Sequence, residues 1–389
     1  MRRRLLLTSL LLAAPLFGCG TGYELPTERP RGAVPTDKSY GMIATWTNMT
    51  DVQDVLLTQG SGSQLFILFN HGDGGGGPDV PRGEVQLYPL SRPEPIGAPY
   101  FTPLTTLFNP IALASAQNKL FVLDQGDTCL ARRDPGSGSC EATSLVNNRI
   151  RDLRAYWRVR EYGLGGGDTL STFTDTTFAF VNGMSAGDDG YVYVSGTAAV
   201  LDTSQTDQRI RTRKFVSRLY RYARGPRYPG VVPGDVNMPG CNWHRDTTWV
   251  IEDGAGTSSV QEPANVYFAR YGGRSLYVAD RGNAQVKALS VAVTNLGLIK
   301  VDGSTTGSNF LQPDDVSADL AGFFYVVDRG SRRVLRYDAS TGEYVQRVDI
   351  EPNAQGETLL DPVGVAVDDS LAYIADRARG KVIRFKRRG

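Results

Sequence analysis

Apolar and polar positions alternate along this chain in short runs, and the runs are bounded by glycine, proline, asparagine and aspartate. Such alternation places successive side chains on opposite faces of a strand, and the bounding residues are those that turn a chain back on itself. The pattern is clearest in the last third. Residues 276–289 read LYVADRGNAQVKAL, residues 324–337 read FYVVDRGSRRVLRY, and residues 372–385 read AYIADRARGKVIRF. Their aspartates, Asp280, Asp328 and Asp376, fall 48 residues apart, twice. A period of about 40–50 residues built from short alternating strands predicts the blades of a β-propeller.

With these segments as template, the pattern predicts six copies of one unit. Each has an inner strand, often opened by proline, a second strand ending in aspartate, a third strand and an outer one. The first copy takes Val52–Thr58, Gln64–Phe69 and Glu84–Tyr88. The second starts at Pro110, reaches Asp124 and resumes at Tyr156–Tyr162. The third takes Gly183–Gly187, Tyr191–Ser195 and Lys214–Tyr222. The fourth, fifth and sixth begin at Pro263, Pro313 and Pro362. From proline to aspartate the distance is 14, 17, 15 and 14 residues in the second, fourth, fifth and sixth copies. Asn70 in the first copy and Ser195 in the third stand where the aspartate is expected. The sixth copy stops after its third strand, near Phe385, and an exposed sheet edge is a liability. The strand-like segment Tyr40–Thr47 is therefore expected to supply the missing outer strand of the last blade.

The string PVGVAVD (residues 362–368) followed by AYIADRARGKVIRF resembles an NHL repeat. The likeness is good over residues 263–389, fair over 110–124 and weak over 50–110 and 180–260. It implies an all-β fold, a six-bladed β-propeller with four-stranded antiparallel blades. Such a motif says much about fold and little about function.

The N-terminus changes the picture. Arg2, Arg3 and Arg4 precede an apolar run, Leu5–Leu12, and Leu16-Phe17-Gly18-Cys19 closes the segment. The run is too short for a spanning helix. Its end resembles the lipobox of bacterial lipoproteins, although Phe17 departs from the usual small residue. The resemblance implies a signal peptide over residues 1–18, acylation (palmitate) at Cys19, a proline-rich tether over 19–37 and a propeller over 38–389. An ordinary secretory signal is the alternative. Gly20 after the cysteine implies the outer membrane, with the domain facing the periplasm or the cell surface. Export permits disulfides, and Cys129 and Cys140 are expected to pair across a turn-rich loop. Cys241 is left over. Formal charge is +1, or about −2 without the basic leader, so no global field favours nucleic acid.

Four inserts, Asn70–Gly83, Gln125–Ala155, Gly196–Arg213 and Val232–Glu262, are expected on one rim, where loops carry function. His71, Trp243 and His244 lie in them, and Arg281, Arg329 and Arg377 open equivalent loops of neighbouring blades. These six residues make a candidate binding face. The competing expectation is that each arginine pairs with a nearby aspartate. Asp54, Asn182, Asn265, Asp314 and Asp315 fall near the inner-strand starts, where a ring of carboxylates and amides could hold calcium. The bland alternative is that they satisfy backbone groups. The Gly-rich loop with His71, Asp73 and Asp79 reads as a hairpin tip, and no nucleophile elbow accompanies Cys241, His244 and Asp246. No catalytic residue is singled out, and no cofactor beyond calcium is expected. The expectation is a membrane-anchored binding or scaffolding module for a protein, peptide or glycan. The alternatives are a calcium-dependent propeller hydrolase or lyase, lactonase-like, at the channel mouth, and a structural subunit of the envelope.

Overall fold

The computed structural model describes residues 40–58, 63–71, 83–90, 104–125, 157–165, 169–173, 178–201, 213–224, 243–269, 275–292, 295–298, 310–348 and 358–387. Cys19, Cys129, Cys140 and Cys241 lie outside them, as do residues 1–39 with the expected leader and tether.

The described chain is all-β apart from a 3-10 turn at Arg281–Asn283. Its first strand, β1 (Tyr40–Trp46), belongs to the last blade. Blade I holds β2 (Val52–Leu57), β3 (Gln64–Asn70), β4 (Gly83–Pro89) and β5 (Leu104–Leu107). Blade II holds β6 (Pro110–Ala116), β7 (Lys119–Gln125), β8 (Trp157–Gly163) and β9 (Ser171–Phe173). Blade III holds β10 (Phe178–Ala186), β11 (Tyr191–Leu201), β12 (Arg213–Arg224) and β13 (Trp243–Ile251). Blade IV holds β14 (Pro263–Ala269), β15 (Ser275–Asp280), β16 (Gln285–Ser290) and β17 (Asn295–Leu298). Blade V holds β18 (Pro313–Ala318), β19 (Phe323–Asp328), β20 (Arg333–Asp338) and β21 (Tyr344–Arg347). Blade VI holds β22 (Pro362–Val367), β23 (Leu371–Asp376) and β24 (Lys381–Arg387). Each blade is one four-stranded antiparallel sheet, and the order in the last is β1-β24-β23-β22. Inner strands of consecutive blades touch all the way round, so the six form a closed propeller.

The closing strand is the one expected from sequence. Residues from Tyr40↔Arg387 to Trp46↔Val382 pair antiparallel, with a bulge between Met42 and Ala44. Trp46 stacks on Tyr373 of β23 at 5.4 Å. The Tyr40 hydroxyl meets that of Tyr325 in blade V at 2.7 Å. Tyr325 in turn donates to Asp319 at 2.9 Å.

Apolar side chains project to both faces of each blade, so the core is six layers between blades rather than one centre. Phe66, Leu68, Leu113 and Val122 fill the layer between blades I and II. Trp157, Phe173, Phe178 and Tyr222 fill the next one. Closely packed strands with both faces covered explain why second strands such as QLFILFN and FFYVVD read almost continuously apolar.

The repeated aspartate is a cap. The Asp124 carboxylate accepts from the N–H groups of Phe108 and Asn109 at 3.0 and 2.9 Å. Asp328 does the same for Leu311 and Gln312, and Asp376 for Leu360 and Asp361. Each tightens the turn just before the proline that opens an inner strand. Asp280 accepts from the Gln261 N–H and also faces the buried Lys287 Nζ at 2.6 Å. That ammonium additionally donates to the carbonyls of Gly256 and Ser259 at 2.9 and 2.6 Å, which meets its three donors.

Two expectations need correction. In the pairing register each capping aspartate lies opposite its proline, as Asp376 does opposite Pro362. The residues opposite the equivalent Val52 and Val181 are Phe69 and Gly196, so Asn70 and Ser195 are each one position off. Proline and aspartate are thus absent together from blades I and III. The second correction concerns blade III. Its hairpin is longer than expected, and the supposed insert Val232–Glu262 contains the outer strand β13.

Candidate functional site

In an antiparallel blade, the connections from second to third strand and from one blade to the next leave on the same side, here termed the upper face. The turns from first to second and from third to fourth strand form the lower face. Inner strands run from upper to lower around a central cavity of about 310 Å³.

Each inner strand has a bulge near its upper end, and the first paired residues beyond it are Asp54, Ala112, Gly183, Asn265, Asp315 and Gly364. Three are polar and three are small, and the polar ones serve the small ones. Asp54 accepts from the Leu113 N–H at 2.7 Å, beside Ala112. Asn265 Oδ1 accepts from the Met184 N–H at 3.2 Å, beside Gly183. Asp315 accepts from the Val365 N–H at 2.8 Å, beside Gly364, and also from the Asn265 amide. Each additionally accepts from the N–H that follows it, on Val55, Val266 and Val316. These bonds tie blade I to II, IV to III, V to VI and IV to V. A Cβ on Gly183 would stand 2.5 Å from Asn265 Oδ1, so the glycine makes room for the acceptor.

Burial pushes the Asp315 carboxyl up from 3.8 to about 7. Burial first, and the facing Asp315 charge second, push Asp54 well above the ordinary carboxylate value. Asn182 does not join them; its amide donates to the Pro263 carbonyl at 3.0 Å. Asp314 points to the upper face instead. Among the described residues, no three acidic, histidine or cysteine side chains converge as a metal site.

The upper face carries the three arginines in one continuous chain of charges. Arg281 pairs with Asp314, Arg329 lies 3.7 Å from Asp314 and also pairs with Asp361, and Arg377 lies 3.0 Å from Asp361. Arg377 then donates to Gln53 of blade I at 3.3 Å. Each arginine therefore meets an aspartate of the next blade or its own, in an alternating ladder across blades IV, V and VI. Burial pushes the Asp361 carboxyl up, but Arg329 and Arg377 outweigh it and hold the group below its ordinary value. The same face carries exposed apolar side chains near strand ends, Phe180 (46%) and Phe215 (47%) in blade III, Leu311 (68%) before β18 and Leu360 (39%) before β22. His71 is here too, stacked on Phe69 at 6.1 Å and within 3.5 and 3.7 Å of Asp51 and Glu84.

Trp243 and His244 are not on that face. They open β13, which follows a third-to-fourth-strand connection, and so lie at the lower one. Both are buried: Trp243 stacks on Phe173 at 5.0 Å and meets Phe121 edge-on. Beside Trp243, between blades II and III, opens a second cavity of about 240 Å³ lined by Lys119, Glu161, Asp189, Tyr191 and Arg224. None of these lining residues stood out in the sequence. A buried glutamate in an apolar strand, Glu161 in WRVREYG, is the one signal that could have marked it.

No family model and no curated protein matches the chain. Among solved structures, a protein of unknown function from Bacteroides thetaiotaomicron is similar at 12% identity and TM-score 0.50, covering 90% of this chain and 73% of that one. A protein of unknown function from Bacteroides caccae is similar at 9% identity and TM-score 0.45, covering 81% and 83%. Virginiamycin B lyase from Staphylococcus aureus is similar at 7% identity and TM-score 0.45, covering 90% and 99%. At such identities the likeness is one of fold.

Proposed function

We propose that the chain is an exported, lipid-anchored propeller of NHL type that binds a protein, peptide or glycan partner on its upper face. The observation that carries this reading is the company on that face: part-exposed arginines in a ladder across blades IV to VI, with exposed phenylalanines and leucines at strand ends of the same face. Arginine and aromatic side chains are enriched where proteins meet. The channel-mouth polar residues weigh the other way for catalysis, because their oxygens already accept from backbone N–H groups of neighbouring strands. Nucleic acid is not the partner proposed, given the near-neutral charge and the export signal.

A photo-crosslinking residue placed at Leu311 of the upper face is expected to give a discrete adduct in cells. One at Ile43, exposed on the outer edge in β1, is expected to give none. Equal labelling from both would refute the face assignment. The anchor has its own test: Cys19→Ser moves the protein from the membrane to the soluble envelope fraction, whereas unchanged fractionation excludes lipidation there.

A second reading, a calcium-dependent hydrolase or lyase, rests on the two buried carboxylates of Asp54 and Asp315 facing the 310 Å³ channel cavity.

A further inference from the structure

The lower-face cavity between blades II and III is built around a buried charge. Glu161 is 1% exposed, yet its carboxylate keeps three partners: Lys119 on one oxygen, Ser171 and Arg224 on the other. Burial pushes this carboxyl up, but the bonds from Lys119 and Ser171 and the Arg224 charge outweigh it and leave it lowered. Ser171 also accepts from the Trp243 indole N–H at 3.2 Å. The Arg224 guanidinium sits 5.3 Å from the Trp243 ring centre. Two cations are thus fixed in place by one anion and one aromatic wall.

Both oxygens of Glu161 are engaged, so it offers a ligand little. The cations differ. An ammonium has three donors and a guanidinium five, and the Glu161 and Ser171 contacts use only some of them. Lys119 and Arg224 remain 29% and 43% exposed at the side chain. Surplus donors of fixed geometry beside a cavity suit an anionic, planar acceptor, above all a carboxylate. On the other wall the Asp189 carboxylate, held by the Tyr191 N–H at 3.1 Å and the Tyr193 hydroxyl at 2.7 Å, supplies acceptors for hydroxyl groups. Its charge would repel a second anion but not a hydroxyl. Acceptors, charged donors and an aromatic edge around about 240 Å³ match one pyranose ring bearing one carboxylate.

We propose that this cleft is a subsite for an acidic monosaccharide, a uronate, with Lys119 and Arg224 on its carboxylate and Asp189 on its ring hydroxyls. The site lies on the face opposite to the proposed partner surface, so crosslinking at Leu311 and saccharide binding here succeed or fail independently.

The test is isothermal titration of the 38–389 domain at low salt with D-glucuronate, its methyl ester, D-glucose and acetyl-dialanine. Glucuronate is expected to bind at least tenfold tighter than the ester, the neutral sugar and the peptide carboxylate, and to weaken as salt rises. Arg224→Lys keeps the charge beside Glu161 and removes the planar fork, and a further fall of at least tenfold is expected. Asp189→Asn is expected to weaken the sugar without strengthening the peptide. The proposal is overturned if glucuronate shows no saturable heat, if acid and ester bind alike, or if acetyl-dialanine binds as well as glucuronate.

Discussion

At the scale of single residues, the repeat is a hydrogen-bonding device. An aspartate recurs every 48 residues in the last blades because a proline opens the inner strand of the same blade and the N–H groups before that proline need an acceptor. Removing one buried acceptor strands two donors. Asp376→Ala is expected to cost about 2–4 kcal/mol in a denaturant titration, and a loss below 0.5 kcal/mol would contradict the capping role. That the motif aspartate mattered was legible in the sequence. The residues that replace it in blades I and III were placed one position off: counted as the sixth residue of the second strand, as Asp376 is in LAYIAD, they are Phe69 in QLFILF and Gly196 in YVYVSG. The residues just past the bulges also carry the pH dependence. Asp315 titrates at about 7 in the fold against an ordinary 3.8, so the protonated form is the one the fold favours. Its contribution to stability is full below about pH 4 and is lost as pH rises through about 7. Asp361, lowered by its arginines, works in the opposite sense and is lost as pH falls below its ordinary range. Thermal stability is therefore expected to peak at about pH 4 and to decline between about pH 4 and about pH 7. Asp315→Asn is expected to flatten that decline; an unchanged slope would place its origin elsewhere.

At the scale of elements, the strands expected in every copy but the third fall within about a residue of those observed, and the third was read short and without its outer strand. Blades IV to VI follow a near-constant distance from proline to aspartate, and their strands fall where the alternation put them. β13 escaped because its burial does not alternate: WHRDTTWVI is buried at both ends and exposed in the middle, with a bulge opposite Tyr220–Tyr222. With that strand unseen, Trp243 and His244 went to the wrong face. The lower cavity was invisible for a related reason. Lys119, Glu161 and Arg224 come from three strands of two blades, and only the register of β7 with β8 and the contact between blades unite them. The closing strand, by contrast, was predictable from an accounting of edges. Deleting residues 1–46 is expected to leave the outer edge of β24 unpaired, with β23 still on its other side, and to cause aggregation seen by light scattering. A peptide spanning residues 39–47, added in trans, is expected to suppress that aggregation, and its failure to do so would mean that β1 contributes more than edge pairing.

At the scale of the whole molecule, six interblade layers hold a ring whose two faces differ in kind. The upper one has charge ladders and exposed apolar side chains, and the lower one has a cleft with a buried anion. The channel between them decides between the two functional readings. If Asp54, Asn265 and Asp315 seat calcium, excess calcium raises the melting temperature by an amount corresponding to about 2.7 kcal/mol at a hundredfold excess over Kd. The backbone-acceptor geometry leads us to expect no shift between calcium and chelator. A shift of several degrees would bring the hydrolase reading forward and justify assaying esters and lactones.

The pairing of Tyr40 with Arg387 also sets the order of events in time. Every other strand of the ring has its partner within the same or the next hairpin, so those sheets form from nearby contacts. β1 is made early, and its partner β24 is made near the end. Closing so large a loop is slow because chain entropy opposes it until the rest is in place. Until then β1 carries an unpaired edge and unburied Tyr40 and Trp46 side chains, and the five other blades wait with an unsealed seam. Refolding is therefore expected to show a late phase, slowed by changes in β1 and indifferent to changes in blade III.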